Sequence, residues 1–203
     1  NWGVSCTVPL REAKRIGFPR DKIIGVWWCG SEEDAIPAGS AAKGYITTNF
    51  SGVGTDYPVI EQIFDNVYGV MKGNIASSRV GTVIYNRGVA SAIIIAEAIR
   101  LAHKKFGVGP VGGKEFRWAM ENFNLTSERI AELGATGLVP PFKLSCDDHE
   151  GSGQAQFQQW DGSKWVQIEG WMEPYSEITK PMIAASSAQY AKEKGITPRC
   201  GLN

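Results

Sequence analysis

The residues best placed to bind a small molecule follow two strand-like segments near the start of the chain. Ser5 closes the first segment, which contains Trp2, and Ser31 and Glu32 follow the second, which ends at Trp28. If both segments are parallel strands, their carboxyl ends lie at one edge of the sheet, where open α/β sheets bind ligands. Glu32 can pair with a ligand ammonium, Ser31 can hydrogen-bond a carboxylate, and the tryptophans can line an apolar or aromatic solute.

Each of these residues also has a purely structural interpretation. Ser31 can cap a helix, and the carboxylate of Glu32 favours a helix N-terminus. Trp2 and Trp28 can be ordinary core residues. The sequence leaves both interpretations open.

Two of the four cysteines follow the same predicted strands. Cys6 and Cys29 therefore lie at one edge of the predicted sheet, and they can form a disulfide if their Cα atoms come within about 7 Å. The alternative is a pair of free thiols near the cleft. No two cysteines in the chain have CxxC spacing, so a zinc ribbon or a thioredoxin-like motif is not expected.

The sequence lacks the motifs of common enzymes and metal sites. The chain has two histidines, and His103 lies in a lysine-rich helix end, where a cation complements the helix dipole. No GxSxG, P-loop or HExxH motif is present. The acidic segment 147–150 contains His149, but consecutive residues do not readily converge on one ion. We therefore expect no catalytic residues, no metal and no cofactor; a hydrolase or transferase is the weaker alternative.

The overall charge argues against a nucleic-acid partner. Lysine and arginine total 21, and aspartate and glutamate also total 21, so the formal charge is zero. Affinity for nucleic acid depends on basic patches that neutralise phosphates, and no basic stripe is visible. No apolar run approaches the roughly 18 to 20 residues that cross a bilayer.

The pattern of apolar residues predicts an α/β protein. Alternating strands and helices come first, helices dominate the middle, and a hairpin around Asp161–Gly162 precedes a last helix. The run 22–28 is continuous and apolar, as in strands buried on both faces of a parallel sheet. Predicted strands are 2–5, 22–28, 44–50, 154–160 and 164–171; predicted helices are 8–16, 56–68, 87–105, 113–123, 127–133 and 180–194.

Five segments in order resemble one family of transport proteins. Together they are similar to the C-terminal half of solute-binding proteins of branched-chain amino-acid-type ABC transporters, which are type I periplasmic binding proteins. The resemblance implies an α/β fold with doubly wound parallel-sheet lobes joined by a three-crossing hinge, incomplete at the N-terminus. The segments are GFPRDKIIGVWWCGSEED (17–34), AAKGYITTNFSGVGTDYPVI (41–60), YNRGVASAIIIAEAIRLAHKKFG (85–107), GLVPPFKLSCDDHEGSGQAQFQQWDGSKW (137–165) and YAKEKGITPRC (190–200).

The resemblance also implies a division of the chain and further site residues. Residues 1–84 are expected to form most of the second lobe, 85–145 the helices that return to the first lobe, and 146–203 the hairpin, a hinge crossing and the last helix. Tyr85 and Asn86 are expected near the hinge and the cleft, with Tyr85 able to wall the solute. Relatives often carry both Cys146 and Cys200, which implies a disulfide that fastens the C-terminal tail.

The function implied by the resemblance is that of a periplasmic or membrane-tethered extracytoplasmic receptor. Such a receptor binds a small amino acid, or a carboxylate-bearing apolar or aromatic solute, between two lobes and delivers it to an ABC permease. The expected partners are the solute, the permease and the missing N-terminal half of the same receptor. The alternative is a ligand-sensing domain of a receptor or amide-type regulator with the same fold.

Overall fold

The computed structural model describes residues 3–197 and Cys200. It contains a four-stranded mixed sheet in the order β1 (Ile24–Gly25), β2 (Ile46–Asn49), β5 (Ala155–Trp160) and β6 (Trp165–Met172). β1 and β2 are parallel, whereas β5 pairs antiparallel with both β2 and β6. A small antiparallel pair consists of β3 (Asn124–Leu125) and β4 (Phe142–Lys143). The sheet thus combines a parallel pair with the predicted hairpin.

Seven α-helices accompany these strands in the described part of the chain. Short 3₁₀ turns lie between several elements, and α3 continues as a π-helical turn over Phe64–Tyr68. The helices are α1 (Val4–Arg15), α2 (Glu32–Ala35), α3 (Pro58–Ile63), α4 (Val83–Phe106), α5 (Gly113–Glu121), α6 (Ser127–Glu132) and α7 (Ser176–Lys194).

Local signals predicted the later elements well. α4 ends at Gly107, and the hydroxyl of Thr126 accepts a hydrogen bond from the Arg129 amide at the start of α6. In the β5–β6 turn, Asp161 Oδ1 accepts hydrogen bonds from the backbone N–H groups of Ser163 and Lys164. These side-chain caps fix the turns from within a few residues, so the sequence alone reveals them.

The predictions for the first two strands were wrong. Residues from Val4 onward are helical, so Ser5 lies on α1 and does not follow a strand; Trp2 lies outside the described residues. The run 22–28 contains only the two-residue β1, and it ends in a 3₁₀ turn at Trp27–Cys29. Ile24 is exposed in β1, which is an edge strand of the described sheet, so the run is not a strand buried on both faces.

Two groups of buried side chains form separate cores. The first covers the sheet and includes Leu10, Tyr45, Trp160 and Trp165. The second is formed mainly by α4, α5 and α6 and includes Ile60 of α3. The chain therefore passes from the sheet core to the helical core between β2 and α3, and it returns before β5.

The structure contains two disulfides, the Cys146–Cys200 bond implied by the resemblance and the Cys6–Cys29 bond that the sequence left open. Cys6 and Cys29 are bonded with their Cα atoms 5.4 Å apart, which joins α1 to the turn after β1. Cys146 and Cys200 are bonded with their Cα atoms 5.6 Å apart. The second bond fastens Cys200, which lies beyond the end of α7, to the loop before the hairpin. Cys6 and Cys29 are therefore not the free thiols of the alternative.

Candidate functional site

A group of polar and aromatic side chains gathers where β1 and β2 end. Trp27 lies in the turn after β1, Asn49 is the last residue of β2, and Phe50 follows it. Arg87 reaches this edge from the second turn of α4. Carboxyl ends of adjacent parallel strands are where open α/β sheets bind ligands, so this group marks a candidate site.

A chain of hydrogen bonds orients the guanidinium of Arg87. Gln158 Nε2 donates to the Gly30 carbonyl at 2.7 Å, and Asn49 Nδ2 donates to Gln158 Oε1 at 3.1 Å. This orientation leaves Asn49 Oδ1 as an acceptor for two hydrogen bonds from Arg87. Nε donates at 3.3 Å and Nη2 at 3.1 Å. Arg87 Nη2 also donates to the Trp27 carbonyl at 3.0 Å.

Arg87 is a half-buried cation held between aromatic rings. Its Cζ lies 4.6 Å from the ring centre of Phe50 and 5.1 Å from that of Trp27. Burial lowers the pKa of Arg87, while the more distant carboxylates of Asp34 and Glu32 act to raise it. Within the described part of the chain, no carboxylate oxygen lies within 4 Å of its guanidinium.

These residues line a cavity of about 440 Å³, within the size range of ligand sites. Its walls are mostly apolar, and Arg87 and Glu150 are the charged members of the lining. The lining consists of Trp27, Thr48, Asn49, Phe50, Arg87, Ala90, Ser91, Ile94, Val139, Pro140, Phe142, Glu150, Ser152, Gly153, Gln154 and Ala155.

Glu32 lies in a second, more polar cavity of about 830 Å³. Its side chain is buried, and its carboxylate accepts the backbone N–H of Val83 at 3.1 Å, at the N-terminus of α4. Burial raises the pKa of Glu32, although the hydrogen bonds from the backbone act in the opposite direction. The neighbouring Glu33 is ion-paired with Arg79. Glu32 therefore stabilises the start of α4 while it also borders a cavity.

Two more of the predicted site residues have structural roles. Ser31 precedes α2, and its hydroxyl donates to Asp34 Oδ2 at 2.7 Å, while Asp34 also accepts the Ser31 amide at 3.1 Å. Asn86 is buried, and its Nδ2 donates to the carbonyls of Gly52 and Gly54. Its Oδ1 has no hydrogen-bond partner among the described residues. Ligand binding by Ser31 and Asn86 stays a prediction.

Three further predicted site residues lie apart from the two cavities. Ser5 is exposed on α1. Trp28 is 42% exposed and contacts the edge of Trp27. Tyr85 packs against the helical core, and burial raises its pKa. The structure thus brings Glu32 to a cavity, but Ser5, Trp28 and Tyr85 are not among the residues that line either of the two cavities.

Sequence reasoning missed the residues that surround Arg87. In the sequence, Trp27 and Arg87 are direct neighbours of the predicted Trp28 and Asn86. The strand-end rule applied to β2 points to Asn49 and Phe50, which close the strand. No sequence pattern indicates that Arg87 lies against two aromatic rings, because that contact depends on the packing of α4 on the sheet.

Comparisons with solved structures identify the class of fold. A protein of the Pseudomonas fluorescens group, described as an ABC transporter permease, shares 40% sequence identity with a TM-score of 0.93; the match covers 98% of this chain and 48% of that one. A branched-chain amino acid ABC transporter from Thermus thermophilus with bound valine matches with 19% identity and a TM-score of 0.65, over 86% and 44% of the chains. A solute-binding protein from R. palustris in complex with benzoate matches with 18% identity and a TM-score of 0.52, over 86% and 42%.

The chain has the fold of the type I periplasmic binding proteins, and it is similar to solute-binding proteins of the leucine/isoleucine/valine-binding type. The resemblance predicted from the sequence is confirmed. Solute-binding proteins are not enzymes, which agrees with the prediction for this chain. The chain spans about half the length of these solved structures. No family model and no curated protein matches it.

Among the described residues, none of the helices is long and apolar enough to cross a membrane. Nor do the described histidines, cysteines, aspartates and glutamates form a group of three or more that could hold a metal ion.

Proposed function

We propose that the chain forms about half of an extracytoplasmic receptor that captures a small solute and delivers it to an ABC permease. The observation that carries this proposal is the match of 98% of the chain, at 40% identity, to a solved structure described as an ABC transporter permease. The position of a mostly apolar cavity at the carboxyl ends of β1 and β2 supports it.

The proposed solute is an amino acid, or an apolar or aromatic compound that carries a carboxylate. Trp27 and Phe50 offer flat apolar walls, and Arg87 offers a positive charge to a carboxylate. Glu32, which borders the other cavity, stays the predicted partner of a ligand ammonium. Valine and benzoate are bound in two proteins of similar fold, and both compounds carry a carboxylate beside an apolar group.

The rest of the receptor is the proposed partner of the open edge of the sheet. Ile24 of β1 and Val26, the residue after β1, are exposed, and β1 has a strand neighbour on one side in the described sheet. An upstream half would continue this sheet and would supply the opposite wall of the cleft. The two cores, joined by short crossings, suit closure of two lobes around a solute by hinge motion.

A thermal-shift screen tests the proposal. The panel contains aliphatic and aromatic amino acids, amides, urea and aromatic acids, and it is applied to the complete receptor and to this 203-residue chain in parallel. A solute at 100 times its dissociation constant stabilises the protein by about 2.7 kcal/mol. We expect a selective shift in the complete receptor; a screen in which no compound shifts the complete receptor contradicts the proposal.

A further inference from the structure

We propose that Arg87 is the anchor for the carboxylate of the bound solute, and that the cavity it lines selects apolar or aromatic acids over their neutral analogues. This inference rests on the proposed receptor function and deepens it, because it names the group of the solute that is recognised and the residue that recognises it.

The first argument is the use of the N–H groups of Arg87. A guanidinium has five, of which Nε carries one and each Nη carries two. The hydrogen bonds to Asn49 and to the Trp27 carbonyl use Nε and Nη2. Within the part of the chain that the structure describes, Nη1 makes no hydrogen bond. The donors of Nη1 are therefore available to a ligand oxygen, while the other donors hold the group in place.

The second argument is the charge. Arginine stays protonated in proteins, and a half-buried cation is stable only when it is paired or otherwise stabilised. The rings of Trp27 and Phe50 stabilise the cation through their π-faces, but they do not neutralise it. A ligand carboxylate beside Nη1 would neutralise it with charge-assisted hydrogen bonds, which are about twice as strong as neutral ones.

The third argument is the shape and lining of the cavity. Beyond Arg87, the lining includes the apolar side chains of Ile94, Val139, Pro140 and Phe142, which fit an aliphatic or aromatic body. The uncharged polar side chains of the lining are those of Thr48, Asn49, Ser91, Ser152 and Gln154. Glu150, the other charged residue of the lining, is exposed on the loop before β5 and would repel a second carboxylate. The cavity therefore suits a solute with one carboxylate.

The test compares matched acids and amides on the complete receptor by isothermal titration calorimetry. The pairs are benzoate and benzamide, 4-methylpentanoate and its amide, and leucine and leucinamide. The last two pairs distinguish a simple acid from the carboxylate of an amino acid. Loss of a hydrogen-bonded charge is expected to cost about 10- to 100-fold in affinity, so the acid of the preferred pair should bind at least that much more tightly than its amide.

Variants at two positions change the positive charge or the hydrogen-bond donors at the proposed anchor. Arg87→Gln deletes the charge directly, and Arg87→Lys keeps the charge without the planar fork of donors. Ser91→Asp leaves Arg87 in place and adds a negative charge beside its guanidinium. Ser91 is suited to this because it is exposed on α4 four residues after Arg87 and lines the same cavity. Ser91→Asn is the matched neutral control. Arg100→Gln is the control on the same helix, about 20 Å away along α4.

We expect Arg87→Gln to remove the preference for the acid and Arg87→Lys to weaken it. Ser91→Asp should lower the preference relative to the neutral Ser91→Asn, which has a side chain of the same size, and Arg100→Gln should retain it. Circular dichroism checks folding; if Arg87→Gln does not fold, Ser91→Asp decides, since it leaves the hydrogen bonds of Arg87 intact. The proposal that Arg87 binds the solute carboxylate is wrong if folded Ser91→Asp binds acids as the wild type does, or if the wild type prefers amides. In both cases the proposed receptor function still holds. If the wild type binds no compound, both proposals fail.

Discussion

Burial shifts the pKa values of Glu32 and Arg87 in opposite directions, since in each case it favours the neutral form. The consequences differ because the ordinary pKa of a glutamate lies well below neutral pH, whereas that of an arginine lies far above it. A lowered arginine pKa still lies far above neutral pH, so Arg87 keeps its charge. The charge of Glu32 is the one that changes with pH.

Replacement of Glu32 by glutamine tests whether the ionisation of Glu32 makes the free energy of unfolding depend on pH. The folded-state pKa of Glu32 is raised, so protonation favours the folded state; this contribution is fully present below pH 4.5 and is lost as pH rises through the folded pKa. We therefore expect the wild type to lose stability relative to Glu32→Gln as pH rises from 4 to 7. Urea unfolding of both proteins across this range measures the difference.

Glu33→Gln is the matched control at the next position. Burial acts to raise the pKa of Glu33, but its hydrogen bonds, mainly with Arg79, lower it overall. Its contribution is present above the unfolded pKa and is lost as pH falls, so the difference between wild type and Glu33→Gln should have the opposite slope. If both differences have the same sign of slope, the electrostatic account of Glu32 is incorrect.

Among the elements, those set by local chemistry were predictable and those set by packing were not. The turn at Asp161–Gly162, the cap at Thr126 and the stop at Gly107 lie within a few residues of the elements they fix. The length of β1 was overestimated from its apolar run. Such a run indicates a buried strand only when other elements cover it, and those elements are distant in sequence. For the same reason the sequence did not indicate Arg87 as a site residue, because its ring contacts are with residues more than 30 positions earlier.

The two disulfides lie on elements of different burial, and this predicts different effects when each is removed. Cys6 and Cys29 are both buried in the sheet core. Replacement of this pair by serine should lower the free energy of unfolding by about 2–4 kcal/mol. Denaturant unfolding of the oxidised wild type and of the double variant measures the loss.

The pair Cys146 and Cys200 provides the contrast. α7 has no buried residue, and the described links of this end of the chain to the loop before the hairpin include the disulfide and an ion pair between Lys180 and Asp148. Serine at both cysteines should increase amide hydrogen exchange in α7 and leave exchange in α4 unchanged. Equal loss of protection in α4 and α7 would contradict the separation of α7 from the cores.

At the scale of the molecule, the candidate site depends on how the two cores meet. The family resemblance predicted two lobes and their hinge, and the order of the segments is specific enough to recognise from sequence. The division at residue 84 remains a prediction; we propose that the first crossing lies earlier, because Ile60 packs in the helical core. Cavity residues such as Asn49, Arg87 and Phe142 come from three distant segments, so their meeting could not be predicted from local patterns.

The central claim is that the complete protein binds one solute and releases it unchanged. Isothermal titration calorimetry with the solute selected by the screen, followed by mass spectrometry of the recovered compound, tests it most directly. The account predicts saturable one-to-one binding and full recovery of intact solute. Chemical conversion of the solute, or the absence of saturable binding, would contradict the assignment of this chain to a solute receptor.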